Sequence, residues 1–80
     1  MQLKILAFGI AKDILGTQEY KLETDQEATV KDLKQLLRER FPEFSRLASL
    51  AIAVNAEYAQ EDRVLSDQDE IALIPPVSGG

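Results

Sequence analysis

Residues 29–41 have the sequence TVKDLKQLLRERF, which predicts the main helix of the fold. Large apolar side chains recur in it at intervals of three and four residues, the spacing that places them along one face of an α-helix. They are Val30, Leu33, Leu36, Leu37 and Phe41. Thr29 and Asp32 have the spacing of a capping box, and Pro42 favours an end to the helix just before it. This stretch therefore predicts one amphipathic helix whose apolar face must be covered by other elements.

Short apolar segments on both sides of the helix predict the strands of a sheet. They lie at residues 2–8, 17–24, 50–54, 58–59 and 70–74. Residues 10–15 fit one or two helical turns between the first two strands, and Gly16 is suited to end them in a left-handed conformation. The order strand, strand, helix, strand, short strand, strand implies an α+β roll of the ubiquitin type. In such a roll a mixed sheet carries one main helix on one face only.

Strand alternation predicts which side chains lie on the face of the sheet that the helix leaves bare. Gln2 and Lys4 favour water, so the alternate residues of the first strand should meet the core, and Glu70 gives the same argument for the last strand. If those two strands are neighbours, the outward side chains gather on the bare face. They are Leu6, Phe8, Ala72 and Ile74, with Tyr58 beside them. An apolar patch on a small acidic protein suggests a docking surface.

The composition narrows the classes of function. Eighty residues are enough for a single small domain. Nine basic and fourteen acidic residues give a net charge of −5, which argues against binding to nucleic acid. The absence of His and Cys excludes imidazole catalysis, thiolate nucleophiles and Cys/His zinc sites. The first residues resemble neither a signal peptide nor a membrane span, so we expect a cytoplasmic protein without membrane contact.

The acidic residues before the last strand are interpreted as a solvated turn rather than a metal site. Asp67, Asp69 and Glu70 lack the twelve-residue ligand pattern and the central glycine of a calcium loop. The serines have no imidazole to activate them. The sequence therefore offers no candidate for a bound metal, a bound cofactor or a catalytic side chain.

The remaining reactive group is the chain terminus. Residues 1–74 are expected to form the folded domain and residues 75–80 a flexible tail. The tail reads Pro75, Pro76, Val77, Ser78, Gly79 and Gly80. Prolines favour an extended backbone and glycines can pass a narrow channel, so the Gly80 carboxylate can reach a catalytic centre in another protein. Adenylation with ATP would activate this carboxylate, and a sulfur nucleophile could then displace AMP to leave a thiocarboxylate. A Gly-Gly end can equally be an idle, frayed terminus.

Four stretches resemble the small subunit of molybdopterin synthase, a family of sulfur-carrier proteins with the ubiquitin-like β-grasp fold. They are residues 8–16, 29–33, 53–55 and 69–80. The last stretch is the most specific, because an acid, an apolar strand, Pro-Pro, Val, Ser and a terminal Gly-Gly occur in that order. Gln68 stands where the family commonly has glycine, and Lys12 stands where arginine is common.

The resemblance implies that Gly80 is the reacting residue of a sulfur carrier for molybdenum cofactor biosynthesis. An E1-like adenylyltransferase would adenylate it with ATP, and a sulfur donor protein would convert it to the thiocarboxylate. The tail from Pro75 to Gly79 would then enter the large catalytic subunit, where two carriers in turn donate the dithiolene sulfurs to cyclic pyranopterin monophosphate. The positions that match the docking side chains of the family are Phe8, Tyr58 and Ile74, with Leu6 beside them. The small subunit would be no enzyme by itself and would act within a heterotetramer.

Other functions remain open at the level of sequence. A carrier that supplies sulfur for the thiazole of thiamine, or for another route, would use the same chemistry and also end in Gly-Gly. A protein modifier would join Gly80 to a lysine through an isopeptide bond. An interaction module with an idle tail would use the apolar face alone.

Overall fold

A computed structural model of the chain describes residues 1–24, 27–47 and 49–75. In chain order the elements are β1 Gln2–Ala7, α1 Gly9–Leu15, β2 Glu19–Glu23, β3 Ala28–Thr29, α2 Val30–Arg40, a 3₁₀ helix Pro42–Arg46, β4 Ala51–Val54, β5 Glu57–Tyr58, β6 Val64–Leu65 and β7 Ile71–Ile74. No helix within these ranges has the length and hydropathy that crossing a bilayer requires.

Five strands form one mixed sheet in the order β2-β1-β7-β4-β5. Strand β1 is antiparallel to β2 and parallel to β7, while β4 is antiparallel to both β7 and β5. The first and last strands of the chain are therefore central neighbours, as the argument from alternation requires. The predicted α+β roll with a mixed sheet and one main helix is confirmed.

The helix α2 begins and ends close to the predicted positions. The Asp32 N–H donates to Thr29 Oγ1 over 3.2 Å, and the Thr29 N–H donates to Asp32 Oδ2 over 3.0 Å, so the capping box is formed. On the apolar side, Val30, Leu33 and Leu37 are fully buried. Each large apolar side chain buried in this way contributes about 1.5–3 kcal/mol to stability.

The face of the sheet that covers this helix is formed by the alternate strand residues that were predicted to lie in the core. The residues that supply the buried side chains include Leu3, Ile5, Ala7, Ile52, Val54, Ile71 and Leu73. No polar or charged side chain in the described ranges is buried. The core is thus one apolar cluster between α2 and one face of the sheet, to which α1, the 3₁₀ helix and β6 add Leu15, Phe44 and Leu65.

The first strand ends one residue earlier than predicted. Strand β1 stops at Ala7, and Phe8 becomes the residue that precedes α1, because Gly9 adopts a left-handed φ of +56° and turns the chain. The short helix itself is confirmed, and Gly16 ends it with a φ of +76°.

A second, two-stranded sheet was not predicted. It joins β3 to β6, with Ala28 opposite Leu65 and Thr29 opposite Val64. Two residues are too few to show a strand alternation in sequence. The sequence predicts a loop or short helical turn at residues 45–49, and the observed 3₁₀ helix lies earlier, at Pro42–Arg46.

Candidate docking face

One row of side chains crosses the sheet on the face opposite α2. The strand register places Leu6 beside Ala72, Ala72 beside Ala53 and Ala53 beside Tyr58. Residues paired in register share a face of the sheet, and the next residue along each strand points the other way. Because the following residue of β7, Leu73, is fully buried against the helix side, the row lies on the bare face.

A second row of side chains lies next to the first, at the end of the sheet where both β1 and β7 end. Ile74 is paired with Ala51 and is half-buried. Ala7 is paired with Leu73, and the two strands are parallel. The residues that follow them, Phe8 and Ile74, therefore lie side by side. Phe8 has an extended backbone and a side chain that is 44% exposed.

The structure thus brings together the four side chains proposed from sequence for docking. The apolar patch, as we call it, consists of Leu6, Phe8, Ala51, Ala53, Tyr58, Ala72 and Ile74. Its small residues, Ala51, Ala53 and Ala72, are an alanine floor on β4 and β7, and the larger side chains around them are Leu6, Phe8, Ile74 and Tyr58. Tyr58 is 76% exposed. The docking role of these residues remains a prediction.

The other half of the bare face is charged. Lys4 lies opposite Lys21, and Gln2 lies opposite Glu23, at the amino end of β1. The apolar patch is consequently confined to the half of the face at which Pro75 leaves β7. A partner seated on the patch would lie next to the point where the tail begins.

The clefts on the surface are small. Three have volumes of about 250 to 340 Å³, at or below the lower end of typical ligand sites, and charged side chains contribute to the lining of each. One is lined by Lys4, Leu6 and the turn at residues 67–70. Within the described ranges no three His, Cys, Asp or Glu residues are grouped as metal ligands would be. The apolar patch therefore remains the predicted recognition surface.

Asn55 is a positioning residue whose role was not predicted, although residues 53–55 are one of the stretches that carry the resemblance. Its backbone is left-handed, with a φ of +54°. Its Nδ2 donates to Asp69 Oδ1 over 3.0 Å, and its Oδ1 accepts from the Glu70 N–H over 2.9 Å. The Asn55 N–H donates in turn to the Glu70 carbonyl over 2.8 Å. Asparagine in a turn between two strands was the available signal, since asparagine tolerates the left-handed region and bonds to nearby backbone.

The interpretation of a solvated acidic turn is wrong for Asp69. This side chain is half-buried, and besides Asn55 it accepts the Ser66 N–H at Oδ2 over 2.8 Å. Asp67 and Glu70 are exposed, as expected. The turn closes with Gln68 at the position where the family has glycine, and Gln68 is not among the non-glycine residues with a positive φ.

Pro75 is the last described residue, and it is half-buried beside Gly9. The other residues proposed from sequence for the tail lie outside the described residues. They are Pro76, Val77, Ser78, Gly79 and Gly80, and what was predicted of them stays a prediction.

Comparison with families and with curated proteins gives a match along the chain. The model of the ThiS family matches residues 5–80. The molybdopterin synthase sulfur carrier subunit of Chlamydomonas reinhardtii is 35% identical and covers 100% of this chain, which covers 100% of that protein. The protein of the same name from Caenorhabditis briggsae is 36% identical over 100% of this chain and 99% of its own length.

Solved structures show the same fold. A putative molybdopterin converting factor subunit 1 from Pyrococcus furiosus superposes with a TM-score of 0.85 at 28% identity, over 96% of this chain and 99% of that one. A complex of subunits 1 and 2 of the molybdopterin-converting factor from Helicobacter pylori contains a chain with a TM-score of 0.68 and 28% identity, covering 100% of both. The small archaeal modifier protein 1 of Haloferax volcanii gives 0.79 at 25% identity, over 95% of this chain and 98% of that one.

Proposed function

The chain belongs to the ThiS family, and from this premise we propose that it is the sulfur carrier subunit of a molybdopterin synthase. The observation that carries the proposal is the match to relatives of that name over the full length of the chain. It includes the segment 69–80, in which the terminal glycines follow the last strand. The subunit is not an enzyme by itself and acts with a separate large subunit.

The reacting group in this proposal is the carboxylate of Gly80. A carboxylate is ionised at neutral pH and is a poor electrophile, so it must first be activated. One of its oxygens attacks the α-phosphorus of ATP and pyrophosphate leaves, which gives an acyl adenylate. A sulfur nucleophile then attacks the acyl carbon and AMP leaves, which gives the thiocarboxylate. An E1-like adenylyltransferase catalyses the first step, and a sulfur donor protein supplies the nucleophile.

The apolar patch is the surface on which the partner proteins dock in this proposal. The complex of the two converting-factor subunits from Helicobacter pylori supports a protein partner of this kind. Three docked apolar side chains give about 5–9 kcal/mol before costs, whereas association costs on the order of 4–15 kcal/mol. Because the free energy gained from the patch alone is no larger than the cost of association, the tail supplies much of the remaining affinity. The large subunit then holds Gly80 at its active site while the thiocarboxylate delivers sulfur to cyclic pyranopterin monophosphate.

The assembly is a heterotetramer of two small and two large subunits, and it works in the cytoplasm, where ATP is available for the activation step. The net charge of −5 favours partners with a basic entrance around the tail site. Nucleic acid and membranes have no part in the cycle.

Intact-mass spectrometry tests the proposal directly. The purified chain is incubated with ATP, the cognate adenylyltransferase and sulfide, and a chain without Gly80 serves as the control. We expect the full chain to exchange one oxygen for sulfur and the control to keep its mass. An unmodified full chain in the presence of active enzyme would contradict the proposal.

A second candidate function is protein modification, which the likeness to the archaeal modifier favours. In that case the adenylated Gly80 is attacked by a lysine amine instead of a sulfur nucleophile, and AMP leaves as an isopeptide bond forms. Adding a lysate of the source cells to the same incubation separates the two functions. Branched peptides carrying the terminal glycines on lysine would identify a modifier.

A further inference from the structure

Two lysines face each other across the charged half of the bare face. Lys4 of β1 is paired directly with Lys21 of β2, and both side chains are exposed. Their neighbours Leu3 and Leu22 are buried on the helix side, so both lysines point to the bare face. Directly opposed residues of an antiparallel pair have β-carbons about 4.5–5.5 Å apart, and like charges placed there destabilise the sheet. The stability of the free chain therefore does not account for this lysine pair.

Three glutamates lie around the lysine pair on the same face. They are Glu19 and Glu23 on β2, and Glu70 just before β7. Within the described residues no ion pair joins any of them to Lys4 or Lys21. Lysine carries its charge at the end of a flexible four-carbon stem, which is longer than the stem of glutamate. A partner surface that lies flat on this face would consequently meet the two ammonium groups before the carboxylates.

The lysine pair adjoins the apolar patch. Lys4 and Leu6 lie two residues apart on β1, so their side chains share a face, and they line the same cleft. Along the chain, Lys4 lies about 13 Å from Phe8 at a rise of about 3.3 Å per residue. The Debye length at physiological salt is about 8 Å, so charges at the two ends of the face act nearly independently. One partner can therefore carry a basic entrance around the tail and an acidic group at the lysine pair.

We infer that the lysine pair belongs to the docking surface and binds a carboxylate side chain of the large subunit. The two oxygens of one carboxylate can accept from both ammonium groups, which relieves the repulsion between them. This inference rests on the proposed function and adds Lys4 and Lys21 to the surface that recognises the partner. Apolar contacts alone are non-directional, whereas a charge at one end of the face fixes how the partner is oriented on it.

The test measures binding of the large subunit by calorimetry, with changes at Lys21 and matched changes at Lys31. Lys31 is an exposed lysine of α2, which covers the opposite face of the sheet. Lys21→Gln and Lys31→Gln alter the net charge equally, and so do Lys21→Glu and Lys31→Glu. We expect the dissociation constant to rise about threefold for Lys21→Gln and about tenfold for Lys21→Glu. Both Lys31 variants should bind like the unchanged chain.

Two further measurements separate docking from a structural role of Lys21. Since no ion pair holds this side chain in the described part of the free chain, urea denaturation should give its variants a midpoint close to that of the unchanged chain. At about 1 M salt the Debye length is only about 3 Å, so the differences in affinity should disappear. Differences that persist at this salt concentration would assign the effect to altered packing and overturn the inference.

Lys4→Gln examines the other lysine, and it decides the test if the Lys21 variants do not fold. It should raise the dissociation constant about threefold as well. Equal dissociation constants for the Lys21 and Lys31 variants overturn the inference. Tighter binding by Lys21→Glu also overturns it, because the partner would then present a basic group at this position. Absence of binding by the unchanged chain overturns the proposed function instead.

Discussion

Asn55 and Asp69, fourteen residues apart in the sequence, are joined by a hydrogen bond of 3.0 Å from Nδ2 to Oδ1. The same asparagine exchanges two further bonds with the backbone of Glu70, the residue just before β7. The β4–β5 turn and the entry to the last strand are thereby fixed to each other. Because Tyr58 follows this turn and Ile74 ends that strand, two edges of the apolar patch share one support.

Replacing Asn55 by glycine should destabilise the protein although the backbone conformation is retained. Asn55→Gly keeps the left-handed φ and loses both side-chain bonds, which together are worth about 1–3 kcal/mol. Urea denaturation measures the loss of free energy of unfolding. Gln68→Gly is the matched control, an exposed position on the adjoining turn where we expect a change within about 0.5 kcal/mol. Similar losses for the two variants would show that the side chain of Asn55 does not matter.

Replacing Ala56 by glycine should have the opposite effect. Ala56 has a φ of +69° and Asn55 one of +54°, so this two-residue hairpin has the positive angles of a type I′ turn, for which Asn-Gly is preferred. The backbone strain of alanine at this positive φ costs more than the additional conformational entropy that glycine loses on folding. Ala56→Gly should therefore raise the free energy of unfolding by about 0.5–1 kcal/mol. Ala59→Gly, outside the left-handed region, should lower it. A loss of stability at both positions would refute the assigned turn.

Local signals decided how much of the fold was accessible from sequence. The helix α2 was predictable because Thr29 and Asp32 mark its start and the leucines mark its buried face. The side of the sheet on which Leu6 and Ile74 lie followed from the alternation of each strand. Neither prediction depends on contacts between residues that are distant in the sequence.

The rest could not be predicted because it depends on distant or very short pairings. The bonds of Asn55 need a residue that only the folded sheet brings near, and β3 and β6 each contribute just two residues to their ladder. The left-handed turn at Gly9 ends β1 before Phe8, although Phe8 itself has a strand-like backbone. For the docking face, the alanine floor became visible only when the register placed Ala53 between Ala72 and Tyr58.

Placing a large side chain on the alanine floor of the apolar patch should prevent docking. Ala53→Arg places a long charged side chain in the centre of the apolar patch, where it would have to be desolvated under a partner. We expect binding to the large subunit to weaken at least about tenfold, as removal of a central interface contact typically does. Isothermal titration calorimetry with the cognate large subunit provides the measurement.

The control for this change is Val64→Arg. Val64 is 48% exposed on β6, outside the apolar patch, so it tests the effect of an added arginine elsewhere on the surface. Its affinity should match that of the unchanged chain, and both variants should stay folded by circular dichroism. If both arginines weaken binding equally, the patch is not the docking surface.

Deleting Gly79 and Gly80 should weaken binding to the large subunit as well as abolish sulfur transfer. The patch supplies about 5–9 kcal/mol against an association cost of similar size, so a partner held by the patch alone binds weakly. We expect the dissociation constant of the shortened chain to rise at least about tenfold in calorimetry.

A chain of full length whose Gly80 ends in an amide is the control, because it keeps every contact of the tail except those of the carboxylate charge. If the amide binds like the unchanged chain while the shortened chain does not, the affinity comes from the length of the threaded tail. If the amide binds as weakly as the shortened chain, the carboxylate is the group that the partner holds. Should the shortened chain bind as tightly as the unchanged one, the tail contributes nothing to docking and the patch must be sufficient by itself.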